Sequence, residues 1–235
     1  MSTKIISHRG RTKLGSPDNT VHSITDAINL KVDMVEFDVR RTKDRQLICF
    51  HDAQIEGKLV GDILFSDIAE INPVVPTLEQ ILWTAKGKIE IDVELKESGY
   101  EDEVISMVTD YFDYNEFIMK SFDRNTVKRI KEIDSRILTG LLLGEEWNLP
   151  QFIAVLKESF TGSGISIDGA DFLSPNFKIV EVGLMERLRK KKIPIQVWTV
   201  NDEKLLEKLI SEDIHSVVTD IPERAMEIRE SLRNV

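Results

Sequence analysis

Residues 33–51, DMVEFDVRRTKDRQLICFH, decide how the strands of this chain are counted. The run opens as a strand, with Met34, Val35, Phe37 and Val39 set around Glu36 and Asp38. A second strand-like run, residues 46–51, begins after only seven residues beyond Asp38. A crossover to a neighbouring parallel strand needs about a dozen residues or more, so the second run is not the next parallel strand. It reads as the return arm of a hairpin that turns at Asp44-Arg45. With those two residues as the loop, paired positions sum to 89, which sets His51 opposite Asp38.

Eight strands then remain, at residues 4–8, 33–39, 89–95, 116–121, 136–143, 164–170, 194–200 and 215–219. Helical stretches fall near 19–31, 77–86, 101–113, 123–134, 149–160, 177–192, 202–212 and 222–233. Asp123, Asn201 or Asp202, and Pro222 after Asp220 are helix-start residues. The basic run Arg189-Lys190-Lys191-Lys192 suits a helix C-terminus, where the backbone dipole is negative. Strands alternating with helices make a parallel sheet, and eight such units favour closure. The expected fold is α/β, a single (β/α)8 TIM barrel with a β-hairpin extension after strand two. No Pro/Gly/Ser-rich linker interrupts it, so residues 1–235 are expected to form one domain.

A chain of 235 residues buries a large core without disulfides. Its one cysteine, Cys49, lies in an apolar run and reads as a buried thiol. The net charge of −10 argues against nucleic acid as a partner. No apolar stretch approaches the roughly 18 residues of a membrane helix, so stable membrane insertion is not expected. No targeting segment is visible, which points to the cytoplasm.

In barrels of this kind, function sits at the C-terminal ends of the strands. Those ends carry His8 and Arg9, then Glu36 and Asp38, then Glu94 and Lys96, then Trp198. Residues two apart on a strand share a face, so Glu36 pairs with Asp38 and Glu94 with Lys96. Three carboxylates at one mouth repel unless a cation joins them, and oxygen ligands favour Mg²⁺ or Ca²⁺. The competing reading of Glu36 and Asp38 is a salt-bridged polar layer inside the barrel. Arg9 and Lys96 make sense beside such a site if an anion such as phosphate bridges to the metal. Two histidines add acid–base capacity. Glu90 and Asp92 lie deeper and read as structural, as do His22 and His215.

These residues fall in ordered motifs: His8-Arg9-Gly10, Pro17-Asp18-Asn19-Thr20, Glu36-Phe37-Asp38-Val39, His51-Asp52, Pro76-Thr77-Leu78-Glu79, Glu94-Leu95-Lys96, Ser121-Phe122, Trp198-Thr199-Val200-Asn201 and Thr219-Asp220-Ile221-Pro222. In that order and spacing the chain resembles the glycerophosphodiester phosphodiesterases. The resemblance implies hydrolysis of glycerophosphodiesters, such as glycerophosphocholine, to glycerol 3-phosphate and an alcohol. It implies Mg²⁺ or Ca²⁺ on Glu36, Asp38 and Glu94, and His8 and His51 as the acid–base pair. Arg9 and Lys96 would bind the phosphate, and Trp198 would pack on the glycerol carbons. Two departures stand out. Asp18 replaces the family's usual Glu, and residues 53–67 lack its Arg-Thr-Thr run, which leaves the alcohol group open. A relative acting on lysolipids, or a catalytically silent binding barrel, are the competing functions. The first lacks an evident apolar rim, and the second would usually have lost a ligand or a histidine.

Overall fold

The computed structural model describes residues 3–144, 169–180, 188 and 193–233. Eight parallel strands form the frame: β1 (Lys4–Ser7), β2 (Met34–Arg41), β6 (Glu90–Leu95), β7 (Phe117–Ser121), β8 (Leu138–Leu143), β9 (Phe172–Pro175), β10 (Gln196–Val197) and β11 (Ser216–Thr219). They pair in the order β10-β11-β1-β2-β6-β7-β8-β9. The ring closes between β9 and β10 through parallel bridges at Leu173–Ile195 and Asn176–Trp198. The Leu173 N–H donates to the Pro194 carbonyl at 3.1 Å, and the Trp198 N–H to that of Pro175 at 3.2 Å. This is the expected (β/α)8 barrel.

The pleat divides its side chains by parity. Odd-numbered residues such as Ile5, Val35, Phe37, Ile91, Val93, Met119 and Val217 face outward into the main apolar core. That core is completed by helices α1 (Val21–Leu30), α3 (Leu78–Ala85), α4 (Glu101–Thr109) and α5 (Arg124–Ile133), and by those at Glu203–Ser211 and Pro222–Arg233. Even-numbered residues fill the barrel. Ile6, Met34, Ile118, Phe172 and Val218 close its lower end as a separate apolar plug. Gly140 makes room for it, because a Cβ there would meet the Phe172 ring at 2.3 Å.

The helices start where short polar side chains cap free N–H groups. Thr20 and Thr77 each form a reciprocal capping box, with Ser23 and Gln80. Asp123 caps Asn125 N, and Asp202 caps Leu205 N. Asp202, not Asn201, is therefore the cap of the helix at Glu203–Ser211. Among the described residues no helix is long and apolar enough to cross a membrane.

Two expectations need correction. The hairpin after β2 exists, with β3 (Leu47–Cys49) antiparallel to β2, but its pairs sum to 88: Val39–Cys49, Arg40–Ile48 and Arg41–Leu47. The loop is three residues long. Thr42 N–H bonds to the Gln46 carbonyl, Arg45 N–H to that of Thr42, and Arg45 is left-handed at φ 65°. A turn closed by a left-handed residue adds the extra position. Phe50, whose N–H donates to the Asp38 carbonyl at 3.0 Å, therefore lies opposite Asp38, and His51 is one residue further on.

The second correction concerns the sixth barrel strand. Most of the stretch 164–170, all of the expected helix at 149–160 and most of that at 177–192 lie outside the described residues. The basic run 189–192 does too. Within the described part, Gly169 is a turn residue at φ 92°, and the strand beside β8 is Phe172–Pro175. Pro175 argues against a strand in the sequence, yet it sits at the strand's last position, and its carbonyl still accepts the Trp198 N–H at 3.2 Å.

Between β3 and α3 the chain makes an excursion: a small ribbon, β4 (Gln54–Ile55) and β5 (Lys58–Leu59), then helix α2 (Phe65–Ile71). Ile55, Val60, Ile63, Ile68 and Val75 pack there with Ile48 as a small core of their own.

Candidate active site

Above the apolar plug the barrel interior turns polar. Asp92, Lys120, Ser174 and Gln196 form a buried layer. The Lys120 ammonium donates to Asp92 Oδ2 at 2.8 Å and lies 3.7 Å from Glu36 Oε1. The Gln196 amide donates to Asp92 Oδ2 at 3.0 Å and accepts from the Ser174 hydroxyl at 2.8 Å. Burial disfavours the Lys120 ammonium, but Asp92, Glu36 and Glu94 outweigh it and hold its pKa above the ordinary lysine value. Asp92 is thus structural, as anticipated; Glu90 pairs with Lys4. Part of the salt-bridged reading of Glu36 is also real.

One layer higher, Glu36, Asp38 and Glu94 converge. β2 and β6 pair in the register Glu36–Asp92 and Asp38–Glu94, which sets the carboxylates side by side. One oxygen from each of Glu36, Asp38 and Glu94 lies within 4.8 Å of the others, and all three residues are buried. Burial pushes the Glu36 and Glu94 carboxyls up to about 7, although Lys120 and Lys96 oppose it. Asp38 goes the other way. Burial raises it, but the Lys96 and Arg9 charges and the Asn19 amide bring it below the ordinary aspartate value. Three buried all-oxygen donors with incomplete positive compensation fit a hard divalent cation.

The two expected phosphate-binding cations lie against this cluster. Lys96 Nζ donates to Glu94 Oε1 at 2.5 Å and is 3.4 Å from Asp38 Oδ1. Arg9 Nε is 3.1 Å from Asp38 Oδ2, yet its N–H is not aimed there and finds no hydrogen-bond acceptor among the described residues. A buried donor left unmatched at a barrel mouth suits an anion. Arg9 owes its place to a tight turn. Its φ is 55°, and its backbone N–H donates to Glu36 Oε2 at 3.0 Å. Gly10 follows at φ 75°, where a Cβ would meet Ser23 Oγ at 2.6 Å and the Ser23 backbone at 2.7 Å.

His8 and His51 both reach the mouth, each with a carboxylate on Nδ1. His8 Nδ1 lies 2.7 Å from Asp220 Oδ1, and His51 Nδ1 lies 2.7 Å from Asp52 Oδ1. Burial lowers the His51 imidazole below its ordinary pKa, against the pull of Asp38. Trp198, two residues after Gln196 and on the same face, donates from Nε1 to the Ser174 carbonyl at 2.7 Å. Its ring meets Phe122 edge-on at 5.5 Å between centroids.

Several neighbours stand in the quoted motifs, but sequence reasoning assigned them no role at the site. Asn19, left-handed at φ 58°, donates from Nδ2 to Asp38 Oδ2 at 2.9 Å and accepts the Asp38 N–H at 3.0 Å. Asp220 also receives Asn201 Nδ2 at 2.7 Å and lies 3.1 Å from an Arg11 nitrogen. Arg11 in turn forks onto Asp18 at 2.7 and 2.6 Å, which is where the shortened Asp18 is aimed. Lys120 carried the clearest missed signal: a lysine inside the strand Phe-Ile-Met-Lys-Ser can only face the barrel interior or the apolar layer.

The sequence model of the glycerophosphoryl diester phosphodiesterase family matches residues 8–224, the span from His8 to the last helix. A glycerophosphodiester phosphodiesterase of Caldanaerobacter subterraneus is 25% identical over 249 residues, covering 95% of this chain and 96% of that one. The crystal structure of a glycerophosphodiester phosphodiesterase from Parabacteroides distasonis is 27% identical, with a TM-score of 0.81 over 100% of this chain and 99% of that one. An Oleispira antarctica phosphodiesterase, solved in complex with the product sn-glycerol-3-phosphate, shares the fold at 18% identity, with a TM-score of 0.77 over 97% of both chains. With its barrel, its motifs and the span of that match in agreement, the chain belongs to the glycerophosphoryl diester phosphodiesterase family.

Proposed function

We propose that this chain hydrolyses glycerophosphodiesters, such as glycerophosphocholine, to glycerol 3-phosphate and an alcohol, with Glu36, Asp38 and Glu94 holding one Mg²⁺ or Ca²⁺. As a member of its family it is a phosphoric diester hydrolase. The observation that carries the finer reading is the cluster itself: three buried carboxylates at one mouth, flanked by two histidines that each hold a carboxylate on Nδ1. The match over residues 8–224 supports treating 1–235 as one functional unit. The Oleispira structure, with its bound product, supports glycerol 3-phosphate as the product here.

A divalent cation held by Glu36, Asp38 and Glu94 would supply Lewis-acid polarisation of the phosphoryl group. The chain's own residues do the rest. The unmatched Arg9 Nε–H and the Lys96 ammonium bind the remaining phosphate oxygens, and Trp198 packs on the glycerol carbons. The carboxylates on Nδ1 of both histidines fix the tautomer and leave Nε2 to work. One histidine takes the proton from the attacking oxygen, of water or of the glycerol 2-hydroxyl. The other gives a proton to the departing alkoxide.

The test is release of alcohol from a panel of glycerophosphodiesters and lysolipids, with and without chelator, by the wild type and by His8→Ala and His51→Ala. Each variant should lose about 10²–10⁴-fold in kcat while still binding cation. Near-wild-type turnover by either variant, or full turnover after exhaustive chelation, would refute the corresponding role.

A further inference from the structure

β3 ends at Cys49, so His51 stands two residues beyond the last ladder pair. A side chain holds it there. Arg40 follows Asp38 by two positions on β2 and is 6% exposed. Its Nε and Nη2 both donate to the His51 carbonyl, at 3.0 and 2.7 Å. Its Nη1 donates to Glu97 Oε1. Glu97 is braced in turn by Tyr100. That hydroxyl lies 2.8 Å from Glu97 Oε2 and 2.8 Å from the Val39 carbonyl, and it accepts the Glu97 N–H at 3.1 Å. Glu97 also follows Lys96 directly, and the Lys96 N–H donates to the Val39 carbonyl at 3.2 Å. One guanidinium therefore ties together β2, the return arm of the hairpin and the end of β6.

Burying an arginine is costly unless its donors are matched. Here two of them converge on a single backbone carbonyl, that of the histidine assigned to proton transfer. Ladder pairing has stopped by His51: among the described residues, the last backbone bond of the return arm is at Phe50. We propose that Arg40 is a positioning residue for the reaction, its forked grip on the His51 carbonyl, braced by Glu97, holding the imidazole over the carboxylate cluster. The inference rests on the proton-transfer role proposed above for His51.

Lysine cannot make the fork, so Arg40→Lys is the informative substitution. Misplacing a reacting group by about 1 Å can cost roughly 10²-fold. Arg40→Lys should lower kcat by about 30- to 100-fold, with KM within about threefold of wild type. Affinity for Mg²⁺ or Ca²⁺, measured by calorimetry, should stay within about twofold, because lysine keeps the positive charge that Arg40 sets near Asp38 and Glu94. The decisive measurement is the double variant. In a His51→Ala background, Arg40→Lys should cost less than about threefold, since a positioning residue has nothing left to position. Glu97→Gln keeps the fork and loosens its brace. It should show a smaller loss that also vanishes in the His51→Ala background, and it carries the test if Arg40→Lys does not fold. Wild-type kcat in both Arg40→Lys and Glu97→Gln, or losses that multiply with that of His51→Ala, would overturn the inference. Wild-type turnover by His51→Ala alone would overturn the proton-transfer role and this inference with it, and is a distinct result.

Discussion

Replacing Asp220 with asparagine should change stability and turnover together, by amounts that the surroundings of His8 set. Burial raises the Asp220 carboxyl, but the His8 hydrogen bond and charge, the Asn201 amide and Arg11 bring it from 3.8 down to about 2. At roughly 1.4 kcal/mol per tenfold change in acidity, that fall contributes about 2 kcal/mol to the folded state. The sign follows from the depression. The contribution is complete above the unfolded value near 4 and is lost as pH falls through about 2. Asp220→Asn should therefore lower the midpoint at pH 7 by about 4–8 °C for a domain of this size. The gap between variant and wild type should close in denaturant titrations stepped from pH 5 toward pH 2. The kinetic effect should be larger. Asparagine can offer its N–H₂ to Nδ1, which then becomes an acceptor and moves the proton to Nε2; as a base His8 would carry its proton on the wrong nitrogen, and as an acid it would lose the anion that stabilises its imidazolium. Losses for such a change reach about 10⁴-fold in hydrolytic triads, so a fall of about 10²–10⁴-fold in kcat is expected here. A variant with wild-type kcat, or a stability gap that persists unchanged at pH 2, would refute the reasoning.

Lys120→Met should destabilise the fold by about 3–5 kcal/mol in urea unfolding, because it strands Asp92 in the barrel. Adding Asp92→Asn should recover at least about 1 kcal/mol of that loss, and a double variant no more stable than the single one would count against a charge-compensation role. Glu94→Gln should weaken Mg²⁺ or Ca²⁺ binding at least about tenfold by calorimetry, since one of three charged ligands is removed; unchanged affinity would take Glu94 out of the ligand set.

The parts of this fold that sequence carries are those set by local period and end chemistry. Met34 to Val39 and Ile89 to Leu95 read as strands because β-branched and aromatic residues surround their carboxylates. Thr20, Thr77 and Asp123 start helices by capping. Parity then delivers Glu36 with Asp38 and Glu94 with Lys96 on interior faces. Partnerships between strands are another matter. That Lys120 meets Asp92 and Glu36 depends on a β6–β7 register of Asp92–Ile118 and Glu94–Lys120, which no local rule supplies. Asp220 finds His8 only because the last strand returns to the first. The hairpin shift arose from Arg45, since a left-handed arginine has no signature as glycine or asparagine would.

The three residues of β3 illustrate why that shift was invisible. Leu47 and Cys49 belong to the main core, while Ile48 belongs to the small core of the 52–75 excursion. A ribbon that is oily on both sides carries no polarity to tell one side from the other, so sliding it by a step exposes nothing that water would punish. Its phase is fixed by bonds instead: the Thr42–Arg45 turn before it, the Cys49 N–H on the Pro76 carbonyl and the Ile48–Thr77 bridge beside it, and Arg40's hold on His51 after it. Two arginines that resemble surface filler in the sequence thus stand among the index marks that set where a histidine stops.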